Sequence, residues 1–158
     1  MLKFWLIHLL TLTNFCVADQ IFNFGCDSNS YTEKPAFLAF VKQHLSIPNE
    51  QIIKFDDVET NIGNHYNPLS GVFTTPKEGL YVMGCMIMAH ADNDVHYKWM
   101  KNDTLILNGY VAKTGNPNSQ TQSFVISLKR GDLISITKTG GGNIYGGRYS
   151  YMSGYLLN

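Results

Sequence analysis

Apolar residues recur at every second position over short runs of this chain, the period of an extended strand with one face turned inward. Val95, Tyr97 and Trp99 fall on one side of such a run, with His96 and Lys98 on the other. Phe124, Ile126 and Leu128 repeat the pattern, and Ile134 and Ile136 start another. Residues 36–41 (Ala-Phe-Leu-Ala-Phe-Val) form an earlier strand, ended by Pro48 and Asn49, and residues 150–157 form the last. Asn108-Gly109 reads as a tight hairpin turn. Lys129-Arg130-Gly131-Asp132 reads as a turn between two late strands. Short strands at close spacing, with turn residues between them, predict an all-β sandwich.

Residues 79–89 break the alternation. Leu80, Tyr81, Val82, Met83, Cys85, Met86, Ile87 and Met88 place apolar groups on both sides of one strand. A helix is the competing reading, but Gly79, Gly84 and the β-formers Tyr81, Val82 and Ile87 oppose it. A two-layer sandwich hides only one face of each sheet against the other. The second face of this strand therefore predicts cover from outside the monomer.

Composition narrows the class. The 158 residues suit one domain, with 44% hydrophobic and 13% aromatic content. Only 15% are charged and the formal net charge is zero, so a nucleic-acid partner is not expected. Residues 1–18 have the make-up of a signal peptide: Lys3, an apolar stretch over 4–12, then Cys16-Val17-Ala18 before Asp19. That stretch is shorter than the roughly 20 apolar residues that cross a bilayer, so secretion without membrane insertion is expected. Residues 19–34 form an N-terminal tail rich in turn formers, without a collagen or heptad repeat.

Six positions stand at fixed intervals in the middle of the chain: Phe55, Asn61, Tyr66, Phe73, Gly79 and Tyr81. With Gly131-Asp132 in the late turn and the ending Ser-Tyr-Met-Ser-Gly154-Tyr155-Leu-Leu, they resemble the complement C1q globular domain. The likeness spans roughly residues 35–158. It departs at Met83 and Cys85, where the family prefers aromatics, and at Met152 and Tyr155, which replace phenylalanines. The resemblance implies a ten-stranded jelly-roll β-sandwich, a homotrimer, and a protein that binds rather than catalyses. A secreted, lectin-like recognition protein for glycans or microbial surfaces is the leading expectation. The alternatives are a TNF-like trimer that clusters a receptor, or a calcium-associated matrix component.

Candidate sites follow from particular residues. The loop Thr139-Gly-Gly-Gly-Asn-Ile-Tyr145-Gly-Gly-Arg148-Tyr149 has no Lys-Ser/Thr for a nucleotide phosphate. As a ligand surface, its Tyr145 and Tyr149 offer stacking faces for a sugar ring and Arg148 a partner for an acidic group. Asp92 and Asp94 offer hard oxygens to calcium, although no EF-hand spacing follows and a solvated turn is the simpler reading. Asn102-Asp103-Thr104 is a glycosylation sequon at an expected hairpin tip. Arg130-Gly131-Asp132 spells an adhesion tripeptide that the turn already explains. Cys85 reads as a buried thiol. In a trimer, three exposed Cys26 thiols cannot pair among themselves, so Cys26 would link two trimers; a bridge to Cys85 and a free thiol remain the alternatives. No Gly-x-Ser-x-Gly elbow is present and His44, His65, His90 and His96 are dispersed, so an enzyme is not expected.

Overall fold

The computed structural model describes residues 34–158, and residues 1–33, which include the expected signal peptide, most of the expected tail and Cys26, lie outside the described residues. Eleven strands follow one another: β1 (Ala36–Phe40), β2 (Gln51–Ile52), β3 (Asp57–Ile62), β4 (Tyr66–Asn67), β5 (Val72–Thr74), β6 (Gly79–Ala89), β7 (Val95–Lys101), β8 (Thr104–Val111), β9 (Asn118–Leu128), β10 (Leu133–Gly141) and β11 (Tyr151–Leu156). One sheet has the order β3-β1-β11-β6-β9, and the other β4-β5-β10-β7-β8 with β2 paired to β10. Every pairing is antiparallel, which makes a jelly-roll sandwich. Among the described residues the count is eleven, one more than the ten that the resemblance implies, and two of them, β2 and β4, are two-residue ladders.

The registers show what the signature residues do. Asn61, Phe37, Gly154, Met83 and Phe124 form one inward row across all five strands of the first sheet. A side chain at Gly154 would come within 2.7 Å of both Met83 Sδ and the Phe37 ring, so only glycine lets them close over it. Phe37 stacks on Tyr66 and Phe73, each with centroids 4.9 Å away. The Tyr66 hydroxyl accepts from Phe55 N–H (3.1 Å) and donates to Phe55 C=O (3.2 Å). Asn61 brackets the Tyr66 backbone: its Nδ2 donates to Tyr66 C=O (2.8 Å), and its Oδ1 accepts from Tyr66 N–H (3.1 Å). Tyr81 donates to Lys77 C=O at 2.9 Å. The motif is a buried polar clamp set inside an aromatic stack.

Asn108-Gly109 is not a turn. Both residues lie inside β8, and the hairpin tip is at Asn102 (φ 53°). Gly109 is required there because the Tyr97 ring lies where its Cβ would be. Either side of it, β9 closes the edge of β8: Gln120 Oε1 accepts from Tyr110 N–H (2.7 Å), and Gln122 Nε2 donates to Asn108 C=O (2.9 Å). Tyr97 and Trp99 donate to the same two glutamines at 3.0 Å each. These amides join the two sheets and satisfy edge groups that would otherwise face solvent.

The other face of the first sheet carries apolar rows as well. Ile62, Ala36, Tyr155, Val82 and Val125 make one outward row; Phe40, Tyr151 and Met86 are the centre of another that runs from Asp57 to Thr121, and the row Thr60, Leu38, Ser153, Gly84 and Ser123 lies between them. Leu80, Tyr155 and Val125 are 38%, 47% and 58% exposed. In β6 the inward residues are buried while Val82, Met86 and Met88 remain half-covered, so within one chain the cover expected for this strand is present on one side only.

Tyr66→Phe leaves Phe55 N–H and C=O buried without partners and should lower stability by about 1–3 kcal/mol, read from urea unfolding at pH 7; an unchanged midpoint contradicts the clamp. Burial also pushes the phenols of Tyr66 and Tyr97 well above the ordinary tyrosine range. Their contribution is therefore complete below about pH 10 and is lost as pH rises beyond it, where unfolded tyrosines ionise and folded ones resist.

Candidate functional site

Three chain segments meet at one end of the sandwich: the exit of β1, the exit of β6 and the connection from β10 to β11. Ile144, fully buried, anchors that connection by exchanging backbone hydrogen bonds with Leu45 at 2.9 and 3.0 Å. Gly147 N–H donates to Lys42 C=O (2.9 Å) and Tyr145 N–H to Met88 C=O (2.7 Å). Gly146 lies against the Gln43 backbone, where a Cβ has no room. The glycine-rich connection is thus fixed in place, and its first residues still pair with β7 as part of β10.

An open cavity of about 540 Å³ sits on this platform. It is lined by Tyr145, Tyr149, His44, Lys42, Gln43, Gly146 and Gly147. Tyr145 and Tyr149 stand edge to face, 5.4 Å apart at 84°. His44 meets Tyr145 at 4.4 Å and 80°, while His90 stacks beneath it at 4.4 Å. Gly146 N–H donates to His44 Nδ1 (3.1 Å), which puts the proton of the neutral ring on Nε2. His90 Nε2 is buried with no hydrogen-bond partner among the described residues. A second hollow of about 560 Å³ lies across the same segment, bordered by Lys54, Asp56 and Leu69.

Tyr145 and Tyr149 are brought together as the sequence suggested; Arg148 is turned elsewhere. Its guanidinium pairs with Asp57 (Nε–Oδ2, 2.8 Å) and Glu59 (2.9 Å) and lies over the Phe40 ring, 5.0 Å from the centroid. The hydrogen bond from Arg148 holds the Asp57 carboxyl below the usual carboxylate range. The cation beside the cavity is instead Lys42. It and His44 were not anticipated, because only the pairing of Leu45 with Ile144 brings them near residues a hundred positions later.

The other candidates are placed as follows. Asp94 faces His96 (3.1 Å) and Asp92 sits in a left-handed turn at φ 60°; among the described residues no three metal-binding side chains converge. Asp132 accepts from Lys129 N–H (2.9 Å) and Asn102 Nδ2 (3.1 Å) and pairs with Lys101 (3.0 Å), so the carboxylate of Arg130-Gly131-Asp132 is already engaged. The Lys129 amide is the main reason its pKa lies low. Asn102 is exposed at its hairpin tip. Cys85 is free and buried, and burial pushes its thiol up to about 11.

The C1q domain model matches residues 36–157. Complement C1q tumor necrosis factor-related protein 3 of Mus musculus is 33% identical over 126 residues, covering 77% of this chain and 50% of that protein. Caprin-2 of Danio rerio is 34% identical over 113 residues, 68% of this chain and 12% of its own length. The chain thus spans about half, or less, of these curated relatives. Among solved structures, the globular domain of zebrafish complement 1qA superposes with a TM-score of 0.68 at 15% identity, covering 80% of this chain and 98% of that one. The Eiger TNF of S. frugiperda superposes with 0.62 at 12% identity, covering 79% and 93%.

Cys85 should resist alkylation in the folded protein at pH 8 and react fully once urea unfolds it, since the thiolate is the reactive form. Peptide mapping of iodoacetamide-treated protein checks this; rapid modification of Cys85 in the native state contradicts its burial.

Proposed function

The chain belongs to the C1q-domain family, and on that footing we propose that it is a secreted, non-enzymatic recognition protein that binds glycans as a homotrimer. The observation that carries the reading is the aromatic cavity at Tyr145 and Tyr149. Sugars present apolar C–H faces as well as hydroxyls. Two rings at right angles suit the first, and the Gln43 amide, Lys42 and His44 suit the second. Loops held on a rigid sandwich are the usual place for such a site.

Arg148 serves this reading from outside the cavity, tying the loop to Asp57 and Glu59 of β3. Assembly uses the outward face of β3-β1-β11-β6-β9. Burying it at about 25 cal/mol per Å² supports a stable interface once roughly 1,000 Å² is covered. Three equivalent cavities on one rigid body then gain avidity on a repetitive surface. A TNF-like ligand that clusters a receptor uses the same apolar face but gives the cavity no task, and it stands as the second reading.

The purified protein on a glycan array should bind a discrete set of structures. Tyr149→Ala, at an exposed position, should weaken binding several-fold, about 1 kcal/mol for a lost aromatic contact. A blank array alongside saturable binding to cells supports the receptor reading, and glycan binding that Tyr149→Ala leaves intact removes the cavity as the site.

A further inference from the structure

We infer that Asn102 carries an N-linked glycan, and that the fold leaves one amide hydrogen of this residue free for the sugar. Asn102-Asp103-Thr104 is the sole Asn-x-Ser/Thr sequence in the chain. It occupies the exposed turn between β7 and β8, in a left-handed conformation at φ 53° that asparagine tolerates. The side chain is both used and available. Oδ1 accepts from Leu133 N–H (2.9 Å), and Nδ2 donates one hydrogen to Asp132 Oδ1 (3.1 Å). A carboxamide nitrogen has two hydrogens, and among the described residues Asp132 is the one acceptor for this nitrogen.

Glycosyl transfer replaces the other hydrogen. The sugar C1–O bond of a polyprenyl-pyrophosphate oligosaccharide breaks, a C1–Nδ2 bond forms, the amide releases one proton, and the pyrophosphate leaves with the electron pair. The remaining N–H keeps its bond to Asp132, which Lys129 N–H and Lys101 hold independently.

The surroundings fit a sugar. Leu105 and Leu133 lie at the same end of the sandwich, 50% and 44% exposed, and offer apolar surface to the first residues of a glycan. The position also leaves the rest of the molecule clear. β10 starts beside Asn102 and ends near the Tyr145 loop, so at roughly 3.3 Å per residue the two sites are about 25 Å apart. Asn102 belongs to the sheet opposite the proposed assembly face. The inference rests on entry into the secretory pathway, as residues 1–18 suggest.

The test is expression in a eukaryotic secretory host, with chain from both medium and cells digested with peptide-N-glycosidase F. Wild type and Thr104→Ser should lose mass as glycan and show Asn102 converted to Asp; Thr104→Ala should not. Unmodified wild-type mass in the cell and medium fractions overturns the inference. In unglycosylated bacterial protein, Asn102→Gln should melt below Thr104→Ala, because it alone removes the Leu133 and Asp132 contacts. Equal melting temperatures overturn the assigned role of the amide.

Discussion

A strand with apolar residues on both faces cannot be satisfied by a two-layer fold alone, and β6 is such a strand at the second-to-edge position of its sheet. Its inner residues, from Tyr81 through Ile87, fill the gap between the sheets. Its outer residues continue the rows Ile62–Ala36–Tyr155–Val82–Val125 and Phe40–Tyr151–Met86. The sandwich accounts for the first set, and sister subunits account for the second in the proposed trimer. At its β3 edge this face carries the Arg148–Asp57–Glu59 cluster, with the guanidinium over the Phe40 ring. Charges such as Lys98 and Lys101 belong to the opposite sheet, and the Asn102 tip projects from that sheet too.

The family signature has a physical content that spacing alone conceals. Phe55, Asn61, Tyr66, Phe73 and Tyr81 are not equivalent core residues. Tyr66 is a hydrogen-bonded pillar whose hydroxyl replaces two missing backbone partners of Phe55, and Asn61 does the same for the backbone of Tyr66. Gly154 exists so that Phe37 and Met83 can meet over it. The departures at Met83 and Cys85 are accommodated because Met83 reaches this gap, while the smaller Cys85 leaves space for the Tyr97 hydroxyl, 3.7 Å from its sulfur.

Much of this was legible from period and turn chemistry. The run over 79–89, the face carrying Val95, Tyr97 and Trp99, and the turn at Gly131-Asp132 depend on local sequence and emerged where expected. What was hidden depends on partners far along the chain. Asn108-Gly109 has the chemistry of a turn, yet the needs of the Tyr97 ring and two glutamines from β9 keep it extended. The burial of Lys138 in β10, 3% exposed, depends on Asn49 and the Gly141 carbonyl, which receive its ammonium. Arg148 has the charge of an anion clamp, but β3 supplies two carboxylates first. His44 and His90 look unrelated until topology sets their rings 4.5 Å apart. Local pattern therefore specified elements, while long-range pairing specified the site.

The most direct test of this account is sedimentation equilibrium of the purified mature protein across a wide concentration range. The account predicts three copies per particle, persisting to low micromolar concentration. A well-folded single subunit at every concentration would mean that the outward rows of β6 and its neighbours are stable in water, and would contradict it.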